Sequence, residues 1–218
     1  MIKFITTLLA LFMFSTSYAK EVKVGIILGF TGPIESLTPG MAAGAELAFN
    51  EASDSGALLG GSTVSSIRAD STCIDSAAAA SAAEFLISQG VTAIMGADCS
   101  GVTGAVLSNV AVPNGVPMIS PSATSPALTT AEDNGLFFRT APSDARGGEV
   151  LADITNDRGI TSVAITYVNT DYGVGLADVY EAAANARGIE VTAKTAHEGD
   201  KADYSAEVGV LSSAGGDA

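Results

Sequence analysis

Short apolar runs alternate with stretches in which apolar residues recur at helical spacing. The apolar runs predict buried strands at residues 22–28, 62–69, 91–95, 118–119 and 136–140. Helical spacing between them predicts helices at residues 40–52, 75–89 and 104–111. The second helix has Asp75 as a capping residue and Gly90 where it ends. Strands separated by helices predict a parallel sheet with right-handed crossovers.

The same alternation starts again after a proline-bearing connector at residues 141–144. It predicts strands at 162–168 and 190–196, helices at 145–156, 176–187 and 204–213, and a loop at 169–175. Two strands leave the helices of a parallel sheet half uncovered, and residues 215–218 read as a loop into a further strand. We therefore expect an α/β protein with two doubly wound parallel-sheet lobes, residues 20–141 and 142–218, the second incomplete. A complete protein with a small second lobe is the alternative.

The first 19 residues have the composition of a cleaved export signal. Lys3 supplies a positive start, residues 4–14 are almost wholly apolar, and Ser17 and Ala19 form a small-x-small cleavage site. The apolar run has about half of the roughly 20 residues that a spanning helix needs, so we do not expect a membrane anchor. The sequence predicts an exported protein with a signal peptide at residues 1–19.

Composition argues against nucleic acid as a partner. The chain has 10 basic and 24 acidic residues, a net charge of −14. Such an acidic protein does not neutralise phosphates. High negative charge favours a soluble monomer.

The sequence also argues against catalysis. His197, the single histidine, is interpreted as a solvated loop residue, and H-E-x-x-H would need two histidines. Neither a G-x-G-x-x-G loop nor metal-loop spacing is found. Cys73 and Cys99 form an even pair, which in an oxidising compartment favours a disulfide over a thiol catalyst. Two buried free thiols are the alternative. We expect no enzyme, cofactor or metal.

Residues 117–126 hold four hydroxyls between prolines, immediately after a predicted strand; they are Ser120, Ser122, Thr124 and Ser125. Each proline fixes its own φ and disfavours helix at the residue before it. Open α/β sheets bind ligands outside the carboxyl ends of their strands. Hydroxyls and N–H groups held there suit a small zwitterion. A capped helix start without a ligand is the alternative interpretation.

Six segments, in this order, resemble the leucine/isoleucine/valine-binding family of type I periplasmic binding proteins: VGIILGFTGP (24–33), DSTC (70–73), GADCS (96–100), ISPSAT (119–124), FRT (138–140) and DYGVGL (171–176). The resemblance covers essentially the whole chain after residue 21. It implies a periplasmic binding protein-like fold and a periplasmic location. It also implies an amino acid ligand, of branched-chain type, and a membrane permease of an ABC importer as the partner.

The resemblance further implies roles for single residues. Ser100 would donate its hydroxyl to the α-carboxylate of the ligand. Ser122, Ala123 and Thr124 would bind its amino and carboxylate groups through backbone and hydroxyl. Tyr172 would close over the ligand from the second lobe, with a hinge near residues 140–143. The resemblance also implies a disulfide between the two cysteines.

At one position the chain departs from the family. Leu37 lies where the family often has an aromatic wall for the ligand side chain, and an ordinary solvated loop is the alternative there. Asp98 is interpreted as a turn residue, because a further carboxylate would repel the ligand's α-carboxylate. A sensor or receptor domain of the same fold, or a small amide or carboxylate as ligand, remain alternatives.

Overall fold

Two separate parallel sheets organise the computed structural model, which describes residues 20–218. The larger sheet has the order β2-β1-β3-β4-β5, formed by β1 (Glu21–Leu28), β2 (Thr63–Asp70), β3 (Ala93–Gly96), β4 (Met118–Ser120) and β5 (Phe137–Arg139). The smaller sheet pairs β6 (Ser162–Val168) with β7 (Glu190–His197). The predicted α/β class with parallel sheets is confirmed. The predicted signal peptide lies outside the described residues.

Helices connect the strands of both sheets. They are α1 (Thr38–Asp54), α2 (Ser76–Ser88), α3 (Ser100–Val106), α4 (Val112–Asn114), α5 (Asp144–Asp157), α6 (Asp171–Ala186) and α7 (Ser205–Ser213). A π-helical turn, Leu107–Ala111, makes α3 and α4 one continuous helical stretch, and 3₁₀ turns lie at Leu59–Gly61 and Pro126–Thr129. Within residues 20–218, none of these helices combines the length and the apolar character needed to cross a membrane.

Strand β1 is buried on both faces of the larger sheet. Ile26 and Leu28 pack with Ala42 of α1 on one face, whereas Ile27 packs with the core under α2 and α3 on the other. Alternate side chains of a strand point to opposite faces, so this strand needs the continuous apolar run seen in the sequence. The connections reverse between β1 and β3, and open sheets bind ligands at such a switch point.

The last two described residues run along the free edge of β6. The N–H of Ala164 donates to the carbonyl oxygen of Ala218 at 2.9 Å, and the N–H of Ala218 donates to that of Ser162 at 3.3 Å. Bonds from one residue to positions two apart on its neighbour are the pattern of a parallel ladder. Residues 217 and 218 therefore lie beside β6 in the manner of a parallel neighbour.

Two predicted boundaries are wrong. The helix expected to begin at residue 104 begins at Ser100, and the loop expected at 169–175 is mostly the first turns of α6. Thr170 caps α6 by accepting the N–H of Gly173 at 3.2 Å. A Cβ on Gly173 would lie 2.1 Å from the carbonyl oxygen of Val168. This glycine is therefore required by close packing and does not interrupt the helix.

Candidate functional site

The loops after β1, β2 and β3 meet around the buried side chain of Asp98, which is 3% exposed. Its carboxylate accepts the N–H of Gly29 at 2.7 Å, the hydroxyl of Ser71 at 3.2 Å and the N–H of Cys99 at 3.0 Å. Buried polar groups are stable when they are hydrogen-bonded in this way. Asp98 is thus a structural residue of the turn that leads to Ser100.

A disulfide between Cys73 and Cys99 lies next to this turn, with an S–S distance of 2.09 Å. It confirms the predicted pairing. The bond joins the loop after β2 to the residue that immediately precedes α3. Ser100 is therefore held from two sides, by the disulfide and by Asp98.

Ser100 is buried and begins the continuous helical stretch of residues 100–114. Its Oγ accepts the N–H of Ser125 at 3.1 Å. Within residues 20–218 the hydroxyl proton of Ser100 has no acceptor. The N–H groups of the first turn have no partner within the helix, as in any helix, and the preceding residue, Cys99, does not cap them with its side chain. The start of α3 therefore offers several donors to one acceptor group.

Two of the four hydroxyls in residues 117–126 hold the turn in place. Ser120 donates to the carbonyl oxygen of Ala97 at 2.5 Å and accepts the N–H of Ala123 at 2.9 Å. Ser122 donates to the carbonyl oxygen of Asp98 at 2.9 Å. The proton of Ser122 is consequently used within the protein. Ala123 is fully buried, and its carbonyl oxygen accepts from Arg139 at 3.3 Å.

Thr124 contacts the second lobe. Its hydroxyl donates to the carboxylate of Asp144 at 2.6 Å, and its carbonyl oxygen accepts the N–H of Asp144 at 3.0 Å. The N–H of Thr124 has no acceptor in the described part of the chain. The sequence indicated Asp144 only as part of a connector. A local pattern does not reveal a hydrogen-bond partner that lies 20 residues away.

The beginning of α6 packs against the same region. A Cβ on Gly101 of α3 would lie 3.6 Å from the carboxylate of Asp171, and a Cβ on Gly175 would lie 3.0 Å from Oγ of Ser125. That Oγ is buried and has no hydrogen-bond partner in the part of the chain that is described. The two lobes therefore touch beside Ser100 and the Ser125 loop.

Tyr172 and Leu37 lie at the periphery. Tyr172 is half exposed on α6 and lines a groove of 220 Å³ together with Leu151 and Ile165. Across residues 20–218 no hydrogen bond joins Tyr172 to Ser100. Leu37 is 58% exposed. It precedes a buried threonine whose hydroxyl donates to the carbonyl oxygen of Gly29 at 3.0 Å, which links its loop to the β1 end. The structure thus groups Ser100, Ser122, Ala123 and Thr124, with Tyr172 and Leu37 outside the group.

Asp70 is the last residue of β2, at the carboxyl edge of the larger sheet. Burial opposes its ionisation, but hydrogen bonds from Thr31 and Thr72 outweigh that effect and lower the pKa of Asp70 from its ordinary 3.8. Thr31 donates through its hydroxyl at 2.6 Å and Thr72 through its N–H at 2.8 Å. In the described residues no group of three or more His, Cys, Asp or Glu side chains could hold a metal ion.

Comparison with known proteins identifies the family of this chain. The profile of a family described as periplasmic binding protein matches residues 21–218. A protein named Leu/Ile/Val-binding protein homolog 3, from Brucella melitensis, is 35% identical over 205 residues, which are 92% of this chain and 54% of that protein. The chain spans about half the length of the curated relatives it matches.

Solved structures show the same fold. The branched-chain amino acid transporter substrate-binding protein LivJ from Streptococcus pneumoniae, in complex with isoleucine, is 26% identical. It superposes with a TM-score of 0.75 over 91% of this chain and 56% of that one. A solute-binding protein from R. palustris, in complex with 4-hydroxybenzoate, is 21% identical with a TM-score of 0.78, over 90% of this chain and 52% of that one.

Proposed function

Because the chain belongs to the periplasmic binding protein family, whose members bind solutes and are not enzymes, we propose that the intact protein captures an amino acid between two lobes. A branched-chain amino acid is the proposed ligand, and the membrane permease of an ABC importer is the proposed recipient. We place the lobes at residues 20–141 and 142–218 and the protein in the periplasm as a monomer, after removal of a signal peptide at residues 1–19.

The observation that carries this proposal is a set of donors without acceptors at the carboxyl edge of the larger sheet. They are the hydroxyl of Ser100, the N–H groups of the first turn of α3 and the N–H of Thr124. A carboxylate has two oxygens that together accept several hydrogen bonds. Donors that are already fixed in direction bind it at low cost, since little has to be ordered on binding. This arrangement supports docking of an α-carboxylate there.

The remaining predicted residues receive narrower roles. Ser122 supports the turn through its bond to the carbonyl oxygen of Asp98, so it would contact the ligand through its backbone. Ala123, whose carbonyl oxygen already accepts from Arg139, would contact the ligand through its backbone. Tyr172, on the lobe that moves, would close over the ligand, and Leu37 would provide an apolar wall for the ligand side chain.

Closure would bring the second lobe onto a ligand already docked on the first. The contacts between α6 and the Ser125 loop support this proposal, because they bring residues of both proposed lobes next to Ser100. Residues 140–143 connect the lobes and would act as the hinge. A ligand shifts this equilibrium only if it contacts both lobes, as in any two-state closure.

The choice of a branched-chain amino acid is supported by relatives rather than by this chain's own pocket. The relative from Brucella is named a Leu/Ile/Val-binding protein, and the solved LivJ structure contains isoleucine. The free donors alone would also hold an amine-free carboxylate, and the solved R. palustris protein is in complex with one, 4-hydroxybenzoate. A small carboxylate is therefore the second candidate ligand.

A thermal-shift screen of the intact protein would test the proposal, using all amino acids, small amides and short carboxylates including benzoates. A ligand at concentration L that binds only the folded state stabilises it by RT ln(1 + L/Kd), so at equal concentration the tightest ligand raises the melting temperature most. We expect leucine, isoleucine or valine to give the largest shift. A larger shift from a benzoate would favour the second candidate, and no shift from any of these compounds would contradict both.

A further inference from the structure

Thr124 and Asp144 are joined by two hydrogen bonds that fix both the position and the direction of the Thr124 hydroxyl. The carboxylate of Asp144 accepts the hydroxyl at 2.6 Å, while its N–H donates to the Thr124 carbonyl oxygen at 3.0 Å. An ionised carboxylate can only accept hydrogen bonds, so the single proton of the hydroxyl points to Asp144. The hydroxyl of Thr124 is left with lone pairs alone for any further partner.

The hydroxyl of Ser100 has the opposite hydrogen-bonding role. Its Oγ already accepts the N–H of Ser125 at 3.1 Å, and its own proton has no acceptor within residues 20–218. The two hydroxyls at this edge are therefore set in opposite senses, Ser100 as a donor and Thr124 as an acceptor. Such a pair matches a molecule that presents an acceptor at one end and a donor at the other.

We propose that Asp144 is a positioning residue that makes the site select ligands with an amine over ligands that carry a carboxylate alone. It acts through Thr124, whose hydroxyl it holds as an acceptor, and it adds a negative charge on the side where an ammonium would lie. This inference rests on the proposed function and deepens it, because it assigns the amine end of the ligand to the junction between the lobes.

Two other charged side chains lie near this junction, Arg139 and Asp171. Arg139 directs its guanidinium to the carbonyl oxygens of Ala123 and Ser125 and to the hydroxyl of Thr129, at 3.3, 2.9 and 2.5 Å. All three contacts are with acceptors of the protein itself. Asp171 lies beside Gly101 in the first turn of α3, at the end of the site assigned to the carboxylate, so it does not add to the amine end. The carboxylate at the amine end is that of Asp144, and opposite charges at short range stabilise each other.

Isothermal titration of the intact protein with L-leucine and with 4-methylpentanoate, the same molecule without its amine, tests the inference. We expect the wild type to bind leucine at least tenfold more tightly than 4-methylpentanoate, since a hydrogen bond to a charged group is worth about that much or more. In Asp144→Asn we expect this preference to fall about tenfold. An Asn side chain can accept through its oxygen or donate through its NH2 group, so it no longer fixes the direction of the Thr124 proton. That change and the loss of the charge would weaken leucine binding alone.

If Asp144→Asn only disturbed the structure, it would weaken the binding of both ligands equally. An unchanged ratio of the two affinities would therefore overturn the inference. Asp157→Asn, at the exposed far end of α5, is the matched control and should keep the wild-type ratio. If Asp144→Asn fails to fold, Thr124→Val tests the same step by removing the acceptor, and a preserved preference in that variant would contradict us. A wild type that binds neither ligand would instead contradict the proposed function.

Discussion

The carboxylate of Asp98 accepts the backbone N–H of Gly29 at 2.7 Å, directly across the switch point of the larger sheet. The same carboxylate holds Ser71 and Cys99, so one buried side chain fixes three of the loops at this edge. The geometry of the proposed carboxylate site depends on these loops. The rigidity of the site therefore originates in groups that do not themselves contact the ligand.

Replacement of Asp98 by Asn should lower both stability and affinity. The amide replaces one accepting oxygen by a donor, which leaves a buried N–H or hydroxyl unpaired at a cost of about 1–3 kcal/mol. Urea denaturation would measure the loss in the free energy of unfolding. Asp54→Asn, at the exposed end of α1, is the control and should change it little. Equal stability of Asp98→Asn and the wild type would show that these hydrogen bonds contribute little to the free energy of unfolding.

Gly175 should limit how closely the lobes approach. A Cβ at this position would lie 3.0 Å from Oγ of Ser125 and 3.0 Å from Cδ of Pro126. Gly175→Ala should weaken leucine binding about tenfold in calorimetry, since overpacking costs about 1–3 kcal/mol. Gly209→Ala is the matched control, because nothing lies within 4 Å of a Cβ there. Unchanged affinity in Gly175→Ala would mean that this contact is absent from the ligand-bound form.

The disulfide should contribute a large part of the stability. It closes a loop of 26 residues between Cys73 and Cys99, which in the chain-entropy model stabilises the fold by about 3–4 kcal/mol. Guanidinium denaturation with and without a reductant would measure this difference. The double variant Cys73→Ala/Cys99→Ala should be destabilised without reductant and should not respond to it. A wild type with the same free energy of unfolding with and without reductant would contradict the prediction.

Asp70 should make stability depend on acid. Its pKa is lowered in the folded state, because the hydrogen bonds from Thr31 and Thr72 outweigh burial. A lowered pKa gives stability that is present above the unfolded value, near 3.8, and that is lost as pH falls through the folded value. Asp70→Asn should therefore lose less stability than the wild type when melting temperatures at pH 6 are compared with those near pH 3. Parallel pH profiles for both proteins would refute this.

Local patterns predicted the elements better than their contacts. The apolar run of β1 and the cap at Asp75, which accepts the N–H groups of Ala77 and Ala78, are both confirmed. The helix predicted at 104–111 missed the start of α3 at Ser100, where Gly101 and Gly104 lower the local helix propensity. Side-chain packing, which the local pattern does not contain, decides such boundaries.

The partners of the candidate site residues were even less visible. The residue types of the site could be identified from the turn at 117–126, but the direction of each hydroxyl proton could not. Ser122 donates to a carbonyl oxygen 24 residues away, and Thr124 donates to a carboxylate 20 residues away. Only the sheet order and the junction between the lobes bring these residues together. Donor and acceptor roles are therefore properties of the fold.

The most direct test of the central claim is calorimetric titration of L-leucine into the intact wild-type protein and its Ser100→Ala variant. Removal of the free hydroxyl donor at the start of α3 should weaken binding about 10- to 100-fold, since the ligand carboxylate would lose a charge-assisted hydrogen bond. Ser108→Ala, an exposed serine on the same helical stretch, should bind as the wild type does. If Ser100→Ala binds leucine as tightly as the wild type, the carboxylate does not dock at this edge of the sheet.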